Sequence, residues 1–503
     1  SNPCEPENPC TQPHRTTCNP TEKGHECLCD AGWEDRDGEC VPKEICSPED
    51  NCQWTSRICE WTISYTPPTA GSTVLVAGEF TDWATAPLLM SDGDGDGTLE
   101  LTLKPGAKLK EGGMYAYKLV VDGDWILDPG SPYRKKVDNC LNSAFLMPDC
   151  SRPLIAGNPV TTRYDPSTQT GSAKTRFSIL TASGGAEPKV LGVTLDGVPL
   201  ADDQISVDGP NGAFDVELKN LPPGKHTLGI TVEDAEGIAS APMDLPFWIE
   251  QTPFDWRDTF MYMIVVDRFA NTKQSTDVPL EGRVEYPADW HGGELPGALQ
   301  VLKSGYFEQL GVNTIWLSPI NEQATGSFLG RDDEYYYAGY HGYWPSKARN
   351  VEPRFGGDQA LRDFVDEAHR RGIRVLLDLI NNQVHEQHEY YASHPDWFRT
   401  GCVCGIDPGC GWSERPLDCL FADYLPDINW NVSGAETQFI DDAVFWISDF
   451  DIDGYRIDAV KHVETNSIYN LRAAVGQRFE QGGARLLMIG ETAVNQFDSV
   501  DYD

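Results

Sequence analysis

Two opposite charges stand inside an apolar segment near the end of the chain. Arg456 and Asp458 lie two residues apart within residues 454–462. On a strand, side chains two residues apart point to the same face. Burying charges is costly unless they are paired or used. The pattern leaves two alternatives, a buried structural ion pair or a site that uses both charges.

Two further apolar segments also end in a carboxylate. Residues 375–377 are followed by Asp378, and residues 486–489 are followed by Gly490 and Glu491. Helical patterns separate the three segments. In parallel α/β barrels the functional side chains stand at the carboxyl ends of the strands. The sequence therefore predicts three parallel strands that deliver acidic side chains to one site.

The motifs that contain these residues resemble those of the α-amylase family of glycoside hydrolases. The resemblance covers about the second half of the chain. The matching motifs are the family's nucleophile motif at residues 454–462, its first motif at 378–382, its general-acid motif at 490–491, its calcium-site motif at 425–429 and its second-strand motif at 311–320. It implies strands 1–5 of a partial (β/α)8 TIM barrel over residues 251–503. A loop-rich B domain is then inserted at about residues 384–430.

The resemblance implies retaining cleavage of α-1,4-glucosidic bonds in starch, glycogen or maltooligosaccharides. Asp458 is then the nucleophile and Glu491 the general acid, with Arg456 beside them. From the residues themselves, we expect Arg456 to hold Asp458 ionised. Glu491 follows an apolar run and has no neighbouring cation in the sequence, so we expect its pKa to be raised toward the acid role.

The same resemblance implies sugar contacts and a structural calcium ion. The positions that match the family's sugar-binding residues are His341, Tyr343, Gln383, Lys461 and His462. Calcium would be held by hard oxygen donors from Asn382, Asp427 and the carbonyl of His462. Gln383 stands where the family usually has histidine. A Gln donates a hydrogen bond but carries no charge, and His385 is the alternative if the loop is shifted in register.

The chain ends at Asp503, soon after the fifth predicted strand. Family barrels continue with three more strands, which bring a third carboxylate. Five strands alone would leave open sheet edges. Three explanations stay open: a cleaved protein whose second chain supplies the rest of the barrel, a longer protein, or a fragment that pairs with a partner. The alternative to an enzyme is a non-catalytic glucan-binding or adhesion protein with a degenerate barrel.

Composition limits the partners. With 78 acidic and 39 basic residues the formal net charge is −39, which argues against nucleic-acid binding. No apolar run is long enough to span a membrane. The 15 cysteines are clustered, which indicates an oxidising compartment and a secreted, extracellular or cell-surface protein. Because the number is odd, at least one thiol has no partner within this chain.

Residues 1–46 form a small, cysteine-dense module that resembles an epidermal-growth-factor-like domain. Spacing alone leaves the connectivity open, but the resemblance implies the pairs Cys4–Cys18, Cys10–Cys27 and Cys29–Cys40. Such a small unit needs its disulfides to fold, and this pattern disfavours a zinc site at Cys27-x-Cys29. A cysteine-containing linker follows over residues 47–60.

Residues 61–150 resemble the glycogen- and starch-binding β-sandwich modules. The positions that match the family's sugar platform are Trp83, Lys118 and Trp125. The alternative is that both tryptophans pack inside the sandwich or against the barrel. The aspartate- and glycine-rich stretch at residues 92–97 favours a hairpin turn over a calcium loop, and Cys140 and Cys150 are close enough in sequence to close a loop.

Residues 151–250 hold alternating strand patterns typical of an immunoglobulin-like β-sandwich. We interpret this module as a spacer, since it carries no pattern that points to chemistry. Four more cysteines lie in the predicted insertion. Their irregular spacing favours two disulfides over a zinc site, although the sequence allows both. These cysteines are Cys402, Cys404, Cys410 and Cys419.

Overall fold

The computed structural model describes residues 9–21, 24–43, 45–46, 50–272, 284–330 and 334–492. The chain divides into two compact units, Ser1–Gln251 with Arg472–Arg485, and Thr252–Leu471 with Leu486–Asp503. The strands of the first unit pair antiparallel apart from one short parallel pair, and the second unit contains a parallel sheet. Within these described ranges, no helix has the length and apolar character needed to span a bilayer.

The first unit begins with two small hairpins that disulfides hold together. Their strands are β1 (Thr17–Thr21), β2 (Gly24–Leu28), β3 (Trp33–Arg36) and β4 (Glu39–Pro42). The predicted pairs Cys10–Cys27 and Cys29–Cys40 are confirmed, whereas Cys4 of the third predicted pair lies outside the described residues. In the linker, Cys46 is bonded to Cys52.

A second group of strands forms two layers around one core. After β5 (Thr55–Ser56), the strands are β6 (Trp61–Tyr65), β7 (Val74–Gly78), β8 (Leu88–Leu89), β9 (Leu99–Leu103), β10 (Met114–Val121), β11 (Asp124–Ile126), β12 (Tyr133–Val137) and β13 (Cys140–Leu146). One layer has the order β12-β13-β10-β7-β8, with β11 on β10, and the other is the pair β6–β9. Ile63 and Leu103 from the small layer meet Val76, Leu119 and Phe145 from the large one.

The prediction that Cys140 and Cys150 close a loop is wrong. Cys150 is bonded to Cys59, and Cys140 is an exposed free cysteine. The reason is that β13 starts at Cys140 and runs away from it. A strand of this length advances roughly 20 Å, so the seven residues from Cys140 to Leu146 carry Cys150 to the opposite end of the sheet.

The third group of strands also forms two facing sheets. Its strands are β14 (Leu154–Gly157), β15 (Thr161–Asp165), β16 (Thr170–Thr181), β17 (Pro188–Leu195), β18 (Val198–Pro199), β19 (Ile205–Asp208), β20 (Ala213–Leu221), β21 (Gly224–Asp234) and β22 (Met243–Ile249). One sheet has the order β14-β16-β20-β19, with β15 and β5 on β16, and the other has the order β18-β17-β21-β22. Phe177 and Phe214 pack against Ile230 and Leu245 between them.

The second unit is organised on five parallel strands in chain order. They are β23 (Met261–Ile264), β24 (Thr314–Leu317), β27 (Arg374–Leu379), β30 (Gly454–Ile457) and β31 (Leu487–Gly490). Two further pairs of short antiparallel strands are β25 (Phe328–Leu329) with β26 (Tyr336–Tyr337), and β28 (Phe398–Arg399) with β29 (Asp427–Ile428). Every residue of β30, and β27 from Arg374 to Asp378, is buried, as expected where helices cover a parallel sheet.

The helices of this region connect the strands. They are α1 (Val266–Phe269), α2 (Leu295–Lys303), α3 (Tyr306–Leu310), α4 (Gly357–Arg370), α5 (Glu389–Ser393), α6 (Ser433–Phe450) and α7 (Thr465–Phe479). Helix α4 buries Leu361, Phe364, Val365 and Ala368, which recur at the helical spacing that a covered sheet requires.

The excursion between β27 and α6 has a small core of its own. Val384, Phe398, Ile428 and Trp430 are buried together. The predicted disulfides are confirmed, since Cys402 is bonded to Cys410 and Cys404 to Cys419. All four thiols are therefore used, and no zinc site can form from them. Closing these loops lowers the entropy of the unfolded chain.

Gly454 sets the close approach of the last two parallel strands. Its φ is +140°, and a Cβ placed on it would lie 1.9 Å from the Leu487 carbonyl oxygen. Only glycine tolerates both conditions without a backbone shift. The register of β30 against β31 therefore depends on the absence of a side chain here.

Candidate active site

The strand register brings the sequence-predicted residues to one level. Asp378 in β27 and Arg456 in β30 are direct register partners, and Arg456 is in turn the partner of Ile489 in β31. Asp458 follows Arg456 by two residues, and Glu491 follows Ile489 by two. Parallel strands with this register deliver their carboxyl-terminal side chains to one place.

The guanidinium of Arg456 is the centre of this place. Its Nη1 donates to Asp458 Oδ1 at 2.7 Å and to both oxygens of Asp378, at 2.8 and 3.0 Å. Its Nη2 lies 2.9 Å from Glu491 Oε2. One cation therefore holds three carboxyl groups from three neighbouring strands. The sequence leaves two alternatives open, a buried ion pair and a site that uses both charges. Arg456 takes part in both.

Asp378, which the sequence predicts at the site without a specific role, and Trp316, which it does not predict there, also belong to the site. Asp378 Oδ2 accepts hydrogen bonds from Tyr343 Oη at 2.9 Å and from Trp316 Nε1 at 3.2 Å. The guanidinium carbon of Arg456 lies 5.0 Å from the Trp316 ring centroid, a cation–π distance. The strand-terminal position of Asp378 was a usable signal. The reach of the Trp316 indole from β24 was not visible in the sequence.

The expected charge states of the two carboxyl groups need correction. Burial, together with the neighbouring carboxyl groups of Asp378 and Glu491, raises the pKa of Asp458 to about 7, and Arg456 offsets this rise only in part. Arg456 therefore does not hold Asp458 fully ionised at neutral pH. Glu491 has no neighbouring cation in the sequence, but in the folded protein Arg456 lies beside it. The premise for its expected acid role is therefore wrong.

This pKa predicts a measurable dependence of stability on pH. The pKa of Asp458 in the folded state lies above its ordinary value of 3.8, so its contribution to stability is complete below that value and is lost as the pH rises through about 7. From pH 5 to pH 8 the wild type should lose about 2 to 3 kcal/mol of unfolding free energy relative to Asp458→Asn. Urea unfolding of both proteins at both pH values checks this, and parallel pH dependences would contradict it.

The backbone directly after Asp458 is in an unusual conformation. Ala459 has φ +49° and ψ +39°, the left-handed region that non-glycine residues seldom occupy. In this conformation its N–H donates to Glu491 Oε2 at 3.1 Å. Backbone strain of this kind persists where the surroundings impose it, often at functional sites. Here it supplies Glu491 with a second hydrogen bond.

Tyr343 and His341 lie on one loop beside this centre. His341 Nδ1 accepts a hydrogen bond from the Tyr343 N–H at 3.0 Å. Burial, and the charge of Arg268, lower the pKa of His341 to about 4, so its ring is neutral at pH 7. The Tyr343 hydroxyl reaches Asp378, which makes this ring one wall of the site.

Gln383 and His385 are both buried. Gln383 is 3% exposed, and its amide bonds with Asn382 and with the Tyr343 carbonyl. His385 is 0% exposed and packs against Phe328, with ring centroids 4.3 Å apart. The alternative that His385 takes over a sugar contact is therefore wrong, since an aromatic cluster encloses its ring.

Lys461 and His462 lie on the short turn Val460–His462 that follows Asp458. The His462 imidazole donates from Nδ1 to the Pro416 carbonyl at 2.8 Å, and it packs edge-on against Trp412 and Phe421 of the excursion. The disulfide-bonded insertion therefore sits directly against the segment after Asp458.

The predicted calcium ligands provide a suitable set of oxygens. Asn382 Oδ1 is buried and has no hydrogen-bond partner. Gln383, the next residue, bridges to Asp427 through the backbone, so the two ligand residues are neighbours. Burial raises the pKa of Asp427 well above the usual range of a carboxyl group, although Arg399 donates to its Oδ2 at 2.7 Å. An unpartnered amide oxygen beside a buried carboxylate fits a hard cation.

Elsewhere, the described residues offer three groups of potential metal ligands. Two of them contain disulfide-bonded cysteines, Cys10 with Cys27 and Cys59 with Cys150. The third, formed by the three aspartates of residues 92–97, is exposed. Its carboxylates accept hydrogen bonds from the backbone of their own turn, as the predicted hairpin turn requires.

The predicted sugar platform of the first unit is on the outside of its sheet. Tyr117 and Leu119 of β10 point into the core, so Lys118 points to the other face. Trp125 of β11 is the register partner of Val120 and lies on the Lys118 face. Trp125 is 46% exposed and Trp83 is half-buried, and neither belongs to the core cluster. The alternative of internal packing is therefore wrong for Trp125.

The second unit, whose parallel strands end in an arginine-bridged set of carboxyl groups, contains a segment that is similar to a known family of catalytic domains. The family described as "Alpha amylase, catalytic domain" matches residues 263–398. The family described as "Glycogen recognition site of AMP-activated protein kinase" matches residues 61–148. Along the chain, the segment similar to α-amylase catalytic domains thus follows the segment similar to glycogen-recognition modules.

Several named α-amylases are similar to part of the chain. The periplasmic alpha-amylase of Escherichia coli (strain K12) is 38% identical over 149 residues, 29% of this chain and 21% of the relative. Alpha-amylase 3 of Schizosaccharomyces pombe is 31% identical over 218 residues, 41% of this chain and 37% of the relative. The α-amylase of Geobacillus thermoleovorans, solved with acarbose, is 29% identical over 48% of each chain, with a TM-score of 0.40. The chain spans well under half the length of these two curated relatives.

Proposed function

We propose that the protein cleaves α-1,4-glucosidic bonds in starch, glycogen or maltooligosaccharides with retention of configuration. The observation that carries this proposal is the contact of one guanidinium, Arg456, with both Asp458 and Glu491. Retaining enzymes hold their two carboxyl groups about 5 to 5.5 Å apart, closer than inverting ones. Two carboxyl groups on one guanidinium favour the closer arrangement.

In the first step, Asp458 attacks the anomeric carbon while Glu491 donates its proton to the departing oxygen. In the second step, Glu491 takes a proton from water, and the oxygen of that water displaces Asp458 from the sugar. Arg456 stabilises the ionised form of Asp458 that attack requires. After proton donation, the Glu491 carboxylate accepts hydrogen bonds from Arg456 and from the Ala459 N–H.

The surrounding residues fit roles in binding. Tyr343 offers a ring for stacking on the sugar at the cleavage point, and His341 fixes its backbone. Lys461 and His462 lie on the leaving-group side. A calcium ion held by Asn382, Asp427 and the His462 carbonyl would tie the insertion to the strand ends. Hard oxygen donors of this kind suit calcium, which supplies fixed positive charge.

The disulfides support a place outside the cytoplasm. Six disulfides are present among the described cysteines, and such bonds persist in oxidising compartments. The cysteine-rich residues 1–46 fit an epidermal-growth-factor-like module in such a protein. We propose that the protein is secreted or displayed at a surface.

Trapping the glycosyl-enzyme tests the proposal. The complete protein is incubated with a 5-fluoro-α-glucosyl fluoride, digested and analysed by mass spectrometry. A glucosyl adduct on Asp458, with release of α-anomeric product from maltooligosaccharides, is the expected result. An adduct on another residue, or β-anomeric product, would overturn the mechanism. No turnover of any α-glucan would favour the binding-protein alternative.

A separate prediction concerns the glycogen-recognition module. Replacing Trp125 with alanine removes an exposed aromatic face on which a glucose ring can stack, so the affinity for glycogen should fall about tenfold or more. Affinity electrophoresis in glycogen gels measures the change. Leu88→Ala is the matched control, because Leu88 is also exposed, at 37%, on the same module, and as the register partner of the core residue Val76 it lies on the opposite face from Trp125. Equal retardation of the Trp125 variant and the wild type would contradict sugar binding at this face.

A further inference from the structure

The Gln383 side chain joins two parts of the site. Its Oε1 accepts a hydrogen bond from Asn382 Nδ2 at 2.9 Å, and its Nε2 donates to the Tyr343 carbonyl at 3.4 Å. Because Gln383 is only 3% exposed, both ends of its amide are used inside the protein. This side chain is placed to connect Asn382 with the Tyr343 loop.

The first connection decides which end of the Asn382 amide faces away from Gln383. A primary amide has one donor end and one acceptor end. Since Nδ2 is held by Gln383, Oδ1 points elsewhere, and this oxygen is buried with no hydrogen-bond partner. Leaving such an oxygen unsatisfied is costly, because the buried atom has given up its hydrogen bonds to water. A calcium ion would satisfy it, because calcium takes amide oxygens as ligands.

The second connection reaches the ring proposed to stack on the sugar. The Tyr343 carbonyl accepts from Gln383, while the Tyr343 hydroxyl donates to Asp378 at 2.9 Å. The residue is thus held at its backbone and at the tip of its ring. A displacement of the Asn382 amide is transmitted through Gln383 to this loop over two hydrogen bonds.

We propose that Gln383 is a positioning residue that couples calcium binding at Asn382 to glucan binding at Tyr343. The inference rests on the proposed calcium site and the proposed glucan substrate. Coupling of this kind is reciprocal. Calcium therefore tightens glucan binding, and glucan tightens calcium binding by the same factor. A histidine at this position, the residue usual in the family, lacks the flexible amide that makes both bonds here.

The test measures two affinities in the complete protein. An Asp458→Asn background prevents cleavage, and isothermal titration calorimetry follows calcium alone and an α-1,4-linked glucose heptamer with and without calcium. In the background protein, calcium should tighten heptamer binding at least about fivefold. Gln383→Met loses both hydrogen bonds, and its calcium Kd should rise about 10- to 100-fold.

Gln383→Glu separates the two connections. A carboxylate still accepts from Asn382 Nδ2 but has no donor for the Tyr343 carbonyl. Calcium binding should therefore persist, while heptamer binding no longer responds to calcium. If Gln383→Met does not fold, Gln383→Glu alone still tests whether heptamer binding depends on calcium through Gln383.

Gln323→Met is the matched control. Gln323 is 1% exposed, accepts from the Trp344 N–H at 2.8 Å and donates to the Asn321 carbonyl at 2.7 Å. It is a buried glutamine on the loop between β24 and β25 with no hydrogen bond to Asn382, so its loss should lower stability and leave the calcium Kd unchanged. Three results would overturn the coupling alone. They are equal calcium affinity in Gln383→Met and the background, an equal loss of calcium affinity in Gln323→Met and Gln383→Met, and heptamer binding in Gln383→Glu that still responds to calcium as in the background. A background protein that binds no calcium overturns the calcium site and the coupling together.

Discussion

Asp458→Asn should lower kcat on soluble starch by at least about 10⁴-fold, the scale of loss seen when a nucleophile is removed. The amide keeps the size of the side chain but cannot form the covalent bond to the anomeric carbon. Burial also favours the neutral amide, so the folded protein should be at least as stable as the wild type at pH 8. Reducing-sugar release and urea unfolding on the same preparations separate chemistry from folding.

The control for this variant is Asp442→Asn. Asp442 is likewise a buried aspartate, 5% exposed, and accepts a hydrogen bond from an arginine, Arg349 Nε, at 2.7 Å. It lies in α6 and not at a strand end, so its kcat should stay near that of the wild type. If Asp458→Asn retains kcat within tenfold of the wild type, the nucleophile assignment is wrong.

Arg456→Met should be the most destabilising change in the second unit. It leaves Asp378, Asp458 and Glu491 facing one another without the cation that they share. Removing one partner of a buried ion pair costs about 3 to 5 kcal/mol. The loss should be larger at pH 8 than at pH 5, because Asp458, whose pKa is raised to about 7, is largely protonated at the lower pH.

Arg257→Met shows what an exposed pair contributes. Arg257 bonds to Asp255 at 2.6 Å, but its side chain is 88% exposed. Such surface pairs contribute little to stability, because water screens the two charges. Urea unfolding of both variants at both pH values makes the comparison, and equal losses for Arg456→Met and Arg257→Met would show that the three carboxyl groups do not depend on Arg456.

The location of the site was predictable because it depends on strand period and strand ends. Residues two apart in β30 face the same way, and the carboxyl ends of parallel strands share one edge. These two rules are enough to place Arg456, Asp458 and Glu491 together from the sequence alone. The glycine at position 454 completes the arrangement, since its missing side chain sets the register of β30 against β31.

The charge states and the Cys59–Cys150 disulfide were not predictable in the same way. The sequence shows one cation beside Asp458, whereas the fold shares that cation among three acids and buries them. Likewise, Cys59 and Cys150 are 91 residues apart, and only the folded β-sheets bring them together. Both features depend on contacts between distant segments, and local spacing carries no information about those.

The distribution of cysteines divides the molecule by its response to reducing agents. All 15 lie within residues 4–150 and 402–419, so none lies on β23, β24, β27, β30 or β31. A thiol reductant would therefore loosen the small hairpins and the insertion, while the parallel strands keep their packing. An expression host with a reducing cytosol would yield protein whose insertion lacks its two cross-links beside His462, and refolding with a glutathione couple would be needed to restore them.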